Sequence, residues 1–395
     1  MGVDGERPSD QFSRWPLHGR KPLARLGVCA FSPPTERHTT PPPPMTTARI
    51  HGLLLASATV AAVPAMASAV PADAASAVPA HDVPAFSAAA PEAAHPVVAP
   101  ARVGDLGFEV TYDPQRAPFL VSVDQQLITW KVMAVPVLPG ESVLLRASVP
   151  WASLGTSTGN VEPTDDGWRW TAPADPGIEA VRIENEDGEF VHLNFLILRP
   201  TSDMVRGSLD GYRIGTYRAD ADPESTYAAP EGFVEVREGD EDVLLSPHFT
   251  LGQFLCKQEG SPRFAVLSTP LVAKLEAVLE EVNDSGFRAS TLHVMSGYRT
   301  PWYNRAIGNR TTRSRHLWGD AADVWVDTDG NGEMDDLNRD GRVNLADARV
   351  LAAMVERIEG TELPEVQPGG IGLYKRNRAH GPFVHVDARG HSVRW

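Results

Sequence analysis

Two stretches far apart in the chain constrain it most, because each sets polar groups beside strand-forming sequence. In Ser314-Arg315-His316-Leu317-Trp318-Gly319-Asp320-Ala321-Ala322-Asp323 an imidazole and a carboxylate stand seven positions apart across a glycine, and the apolar Val324-Trp325-Val326 follows. Glycine lets the backbone turn tightly, so both side chains can converge before the strand begins. Near the other end, Phe383-Val384-His385-Val386-Asp387 alternates as a strand, which turns His385 and Asp387 to one face. A hydrogen-bonded core role is ordinary for an isolated histidine. Here the ordered His316, glycine, Asp323 and strand His385 favour ligation of one divalent ion, and two imidazoles with one carboxylate leave a fourth tetrahedral position open, as a catalytic zinc site requires. His293, in a strand outside both stretches, keeps the core role.

The chain has 395 residues, too many for one ordinary domain, so two folded domains with tails are expected. Its net charge of -15 disfavours nucleic acid or an anionic membrane surface as partner, since a polyanion would be repelled over most of the surface. Two cysteines, Cys29 and Cys256, give neither a disulfide framework nor a thiolate cluster, and Cys256 reads as a small buried apolar residue.

Composition divides the chain. Residues 1–44 lack periodicity and read as a disordered or mis-annotated extension. Residues 45–69 have a signal-peptide pattern: Arg49, an apolar run over 53–63, and the small-residue site Ala67-Ser68-Ala69. The run is too short for a stable membrane anchor, so the expected location is secreted, in a periplasm or a cell wall. Residues 70–104 are Ala/Pro-rich and read as a flexible linker. Over 105–200, short alternating runs at 108–112, 119–123, 127–134, 142–147, 178–183 and 190–198, separated by turn residues, suit an all-β immunoglobulin-like sandwich used for spacing or attachment. Alternation favours core packing for Trp168 and Trp170 over a ligand groove. A connector fills 201–246. Within 247–395, Thr269 and Pro270 signal a helix start, with Leu271, Leu275, Val278, Leu279 and Val282 on one face and Gly286 at the stop; a strand is expected over 291–295.

Ser314 to Asp323, with Ser296-Gly297-Tyr298-Arg299 upstream and Gly370-Ile371-Gly372-Leu373-Tyr374 and His385-Val386-Asp387 downstream, resembles the zinc D-Ala-D-Ala carboxypeptidases and related murein endopeptidases. These share a metal-site superfamily with lysostaphin-type enzymes and the hedgehog signalling domain. The resemblance, over about residues 247–395, implies a C-terminal α+β zinc peptidase domain with Zn2+ on His316, Asp323 and His385. It also implies a substrate site at Ser296, Tyr298, Arg299 and Ser314, in which Arg299 engages a substrate carboxylate in bidentate fashion. The plain alternative for Arg299 is a surface salt bridge. Zinc would polarise the scissile carbonyl and acidify a bound water, and a base must then move a proton. Several family members carry an acidic residue three before the last ligand or a histidine two before it; those positions are Pro382 and Phe383 here. Asp387 and His380 remain as candidate bases, and Asp387 equally suits orientation of a ligand imidazole.

Between Asp323 and His385 lies an insertion, residues 327–360, with a second chemistry. Asp336, Asn338, Asp340, Arg342, Asn344 and Asp347 fit a twelve-residue Ca2+ loop, with glycine at position six and the Arg342 carbonyl at position seven. It resembles a dockerin repeat, including the following helix over 346–359. Asp327, Asp329 and Asn331 begin a second, partial calcium loop. A calcium-ordered insertion is favoured over recruitment of a cohesin partner, which usually takes two complete repeats. The reading is therefore an exported zinc peptidase acting on peptidoglycan stem peptides, with a catalytically silent wall-binding or calcium-dependent assembly module as the alternative.

Overall fold

The computed structural model describes residues 95–106, 112–222 and 225–395. The extension, the signal-peptide pattern, most of the linker and the strand expected at 108–112, apart from its last residue, lie outside the described residues.

Nine strands build a two-sheet sandwich. One sheet has β1 (Arg116–Val123), β2 (Gln126–Trp130), β4 (Ser142–Ala147), β6 (Asn160–Thr164) and β7 (Gly167–Thr171) in the order β2-β1-β4-β7-β6. The other has β3 (Val132–Val137), β5 (Ser153–Thr156), β8 (Gly177–Glu184) and β9 (Phe190–Ile197) in the order β3-β9-β8-β5. All pairs are antiparallel except β3 with β9. Residues 127–134, expected as one run, divide at Lys131: Trp130 closes β2, and Val132 opens β3 in the opposite sheet. Trp168 and Trp170 are core, and the Trp170 ring stacks 4.2 Å from Phe195 across the two layers.

The linker does not run loose to residue 104. Thr156 N–H donates to the Pro96 carbonyl at 2.9 Å, and Ala101 N–H donates to Asn194 Oδ1 at 2.9 Å. Main-chain pairing, rather than the side-chain burial that composition reports, holds these residues on the sandwich.

A further, C-terminal five-stranded sheet has β10 (His293–Ser296), β11 (Ala321–Trp325), β12 (Gly370–Tyr374), β13 (Phe383–Asp387) and β14 (Val393–Arg394) in the order β10-β11-β13-β12-β14. Helix α1 (Thr269–Asp284) is capped by Ser268, whose hydroxyl accepts from Leu271 N–H; Thr269, expected as the cap, is the first helical residue and donates its hydroxyl to the Ala134 carbonyl at 2.9 Å. Its Leu271, Leu275, Val278, Leu279 and Val282 are all buried. A short helix, α2 (Pro301–Ala306), follows the Thr300 cap. Helix α3 (Leu345–Glu359) starts with a capping box between Asn344 and Asp347 and packs on α1, β12 and β13. Buried Lys274 of α1 pairs with Glu359 of α3 and donates to the Asp387 carbonyl at 2.8 Å, tying both helices to β13. Among the described residues no helix is long and apolar enough to cross a membrane.

Candidate metal centre

Register sets the first two groups of the site. Asp323 of β11 pairs with His385 of β13, so their side chains leave the sheet side by side on one face. Ser296 of β10 flanks Asp323, and Gly372 of β12 flanks His385, giving a row Ser296, Asp323, His385, Gly372 across four strands. His316 arrives from a 3-10 turn, Arg315–Trp318, which Gly319 ends at φ +70. A Cβ at Gly319 would lie 2.1 Å from the Val266 carbonyl oxygen, so glycine is required here by both conformation and close approach. Arg315, bonded to Asp320 and to the Thr226 carbonyl, fixes the turn from its other side.

His316 Nε2 lies 3.2 Å from Asp323 Oδ1 and 3.2 Å from His385 Nδ1, and His385 Nδ1 lies 3.0 Å from Asp323 Oδ1. The outer nitrogens have acceptors of their own: His316 Nδ1 donates to the Gly297 carbonyl at 2.7 Å, and His385 Nε2 donates to Asp387 Oδ2 at 3.2 Å. With those protons pointing outward, both neutral rings turn bare lone pairs inward. Three acceptors thus face one another at nearly equal spacing, each residue 6% exposed or less. Such an arrangement repels itself unless a cation sits among them. Zinc bonds of about 2.0–2.1 Å in a tetrahedron require ligand atoms about 3.3 Å apart, close to the spacing observed. The donor set therefore fits zinc.

For Asp323 and His316 the electrostatics agree. Burial alone would raise the Asp323 carboxyl, but His316 and His385 outweigh it and hold the group well below the usual carboxylate range. Burial lowers the His316 imidazole despite Asp323, which favours the neutral form that a ligand needs. His385 is raised, because Asp323 and Asp387 together overcome its burial.

The other candidates are placed less uniformly. Arg299 donates through Nε to Ser296 Oγ at 2.7 Å and through Nη2 to Asp323 Oδ2 at 2.6 Å, so it clamps the carboxylate's second oxygen, and among the described residues its Nη1 has no hydrogen-bond partner. Ser296 is thus a support for Arg299. Ser314 opens the 3-10 turn, and its hydroxyl caps nothing. Tyr298 corrects the expectation of a substrate contact: it is 1% exposed, and its hydroxyl meets that of Tyr217 at 2.8 Å. The chain turns inward after β10, carrying the phenol into the core.

Asp387 is fully buried and accepts from Gly370 N–H at 2.7 Å and from the Arg389 guanidinium, behind the far nitrogen of His385. Placed there, it is positioned to orient the imidazole, one of the two roles expected of it. The ring nitrogens of His380, the other candidate base, meet Asn377 Nδ2 and the Gly381 carbonyl within their own loop. Among the described residues, Arg299 and Asp387 are the charged side chains outside the three that touch them. His293 stacks on Trp325 at 4.1 Å and stays outside the group.

The insertion folds as two loops with the same internal bonding. Asn331 and Gly332 N–H donate to the Asp327 carboxylate, and Asp340 and Gly341 N–H donate to that of Asp336. Asp347 accepts from Asn338 and Asn344 N–H, while Asn338 and Asp340 are exposed. In the first loop Asp335 joins Asp327 and Asp329, with carboxylate oxygens within 4.8 Å of one another. Sequence reasoning passed over Asp335, although it holds the ninth position of that loop.

Comparison with known proteins gives one match. Residues 247–344 match the model of the family described as Peptidase M15. No curated protein and no solved structure matches the chain. The matched stretch carries His316 and Asp323 and stops before His385, which the β11–β13 register brings to them. Over that stretch the chain is similar to a family of zinc-dependent metallopeptidases, and its His/Asp/His group is of the kind such a peptidase needs.

Proposed function

We propose that this protein is an exported zinc peptidase that hydrolyses peptide bonds in peptidoglycan stem peptides, of the D-Ala-D-Ala or cross-link type. The observation that carries the reading is the triangle of inward lone pairs on His316, Asp323 and His385. These residues would hold the ion. Bound there, zinc supplies Lewis acidity to a carbonyl oxygen and to a water. Arg299 fixes Asp323 through one arm and offers Nη1 to a substrate carboxylate. Asp387 keeps His385 in the tautomer whose Nδ1 faces inward. Calcium on the insertion, through the loops begun by Asp327 and Asp336, belongs to the same proposal, as does an immunoglobulin-like sandwich serving as spacer.

One observation favours the second reading, a silent wall-binding module: Asp387 and His380 are both occupied by other partners, so neither is free to move a proton. Mass spectrometry of muropeptides after digestion, with and without a chelator, separates the two. Metal-dependent cleavage, lost in His316→Ala, supports the peptidase. Binding to sacculi without any cleavage product refutes it.

A further inference from the structure

The row Ser296, Asp323, His385 across the sheet ends in a glycine, and the space that glycine leaves is filled from elsewhere. A Cβ on Gly372 would come 2.6 Å from Cε2 and Nε1 of Trp395, and one on Gly370 would come 2.8 Å from its Cζ3. The indole therefore lies flat over β12, where two strand side chains would otherwise stand. It is pinned by its main chain and its ring. Trp395 N–H donates to the Ile371 carbonyl at 3.3 Å, Leu373 N–H donates to the Trp395 carbonyl at 3.1 Å, and Nε1–H donates to the Tyr374 hydroxyl at 2.8 Å.

An indole held this firmly as core filling would be covered. This one is 49% exposed, with its ring centroid 5.1 Å from that of His385. Tyr374, 37% exposed and stacked 4.5 Å from Phe383, continues the same aromatic surface outward. The result is an aromatic wall beside one ligand imidazole that still faces solvent. An indole face gains dispersion and stacking energy from CH groups and amide planes, and nothing from a lone carboxylate.

We propose that Trp395 is a substrate-contacting residue of the metal centre, whose indole holds the alanyl, methyl-bearing part of a stem peptide next to the scissile carbonyl. Gly370 and Gly372 are the positioning residues that let it lie there. The inference rests on the peptidase reading and names the contact within it.

The test is steady-state cleavage of a sugar-free soluble stem peptide by the zinc-loaded full chain, with zinc content measured alongside. Trp395→Ala should raise KM by about tenfold, the scale of a lost aromatic contact, with kcat little changed and zinc retained. Trp395→Phe should stay near the parent. Gly372→Ala, which displaces the indole without touching a ligand, should reproduce the Trp395→Ala value. Cleavage with an unchanged KM in Trp395→Ala overturns the wall and leaves the peptidase intact. A KM effect that appears only with disaccharide-bearing substrate also overturns it, by moving the contact to the sugar, and loss of zinc in Trp395→Ala would make the residue structural. No cleavage by the parent protein removes both readings together.

Discussion

Asn194 in the sandwich and the His316, Asp323 and His385 group are buried polar clusters satisfied in opposite ways. In the sandwich, Asn194 lies fully buried on β9, yet its amide donates to the Ala101 and Leu244 carbonyls and accepts from Ala101 N–H, so every strong demand is met within the chain. At the C-terminal sheet and the 3-10 turn beside it, His316, Asp323 and His385 meet their outer partners well but point three acceptors at one another. Buried polar groups are ordinarily paired. Where the pairing leaves acceptors converging without a donor, a cation is the missing partner. That contrast locates function more directly than cavity size would.

The contrast can be broken at several strengths. Asp323→Ala has the largest expected effect: it removes a ligand and strands the Arg299 charge, so peptidase activity should fall more than about a hundredfold. Activity near the parent's would show that the three residues do not act as one site. Trp170→Ala removes the ring that stacks on Phe195 and should cost about 3–5 kcal/mol by denaturant unfolding, while zinc stoichiometry stays the same. Loss of zinc in that variant would mean that the two regions are not separable.

Acid should strike the sandwich through His192. Burial pushes this imidazole down from 6.5 to about 4, against a weaker opposing hydrogen bond from Asn194. Its folded form resists protonation, so its contribution is fully present above the unfolded value near 6.5 and is eroded as pH falls toward about 4. The loss amounts to about 3 kcal/mol. Unfolding free energy measured against pH should therefore lose much of its acid slope in His192→Leu; an unchanged slope would contradict the assignment. The smallest effect is Asp387→Asn, which keeps the ligands and weakens the orientation of His385. Zinc affinity should drop by about 10–100-fold in a competition titration.

Much of the site was legible because its signals are local. The glycine between His316 and Asp323 and the alternation around His385 and Asp387 placed those groups correctly, and Phe383–Asp387 is a strand over the residues expected. What the sequence hid is non-local. Nothing near Tyr298 announces that its hydroxyl meets Tyr217, and Lys131 carries no mark of a change of sheet. The strand Asn160–Thr164 is short and largely exposed, so nothing in its sequence marked it as a strand, whereas the alternation of Trp168 and Trp170 did place them in the core. Gly370 and Gly372, two apart on a strand, were read only as part of a motif, because the partner that fills the space above them, Trp395, lies beyond another strand. Arg299 was read as a substrate arm or a surface salt bridge, and its bond to Asp323 was not foreseen because it depends on how β10 and β11 pair.

The account stands on three side chains closing around one ion, and direct zinc titration of the full chain with excess calcium present tests that most plainly. The expected result is one tightly bound zinc per chain, lost in both His316→Ala and His385→Ala, with an absorption-edge spectrum showing nitrogen and oxygen ligands and no sulfur. Zinc binding that survives either substitution unchanged would contradict it.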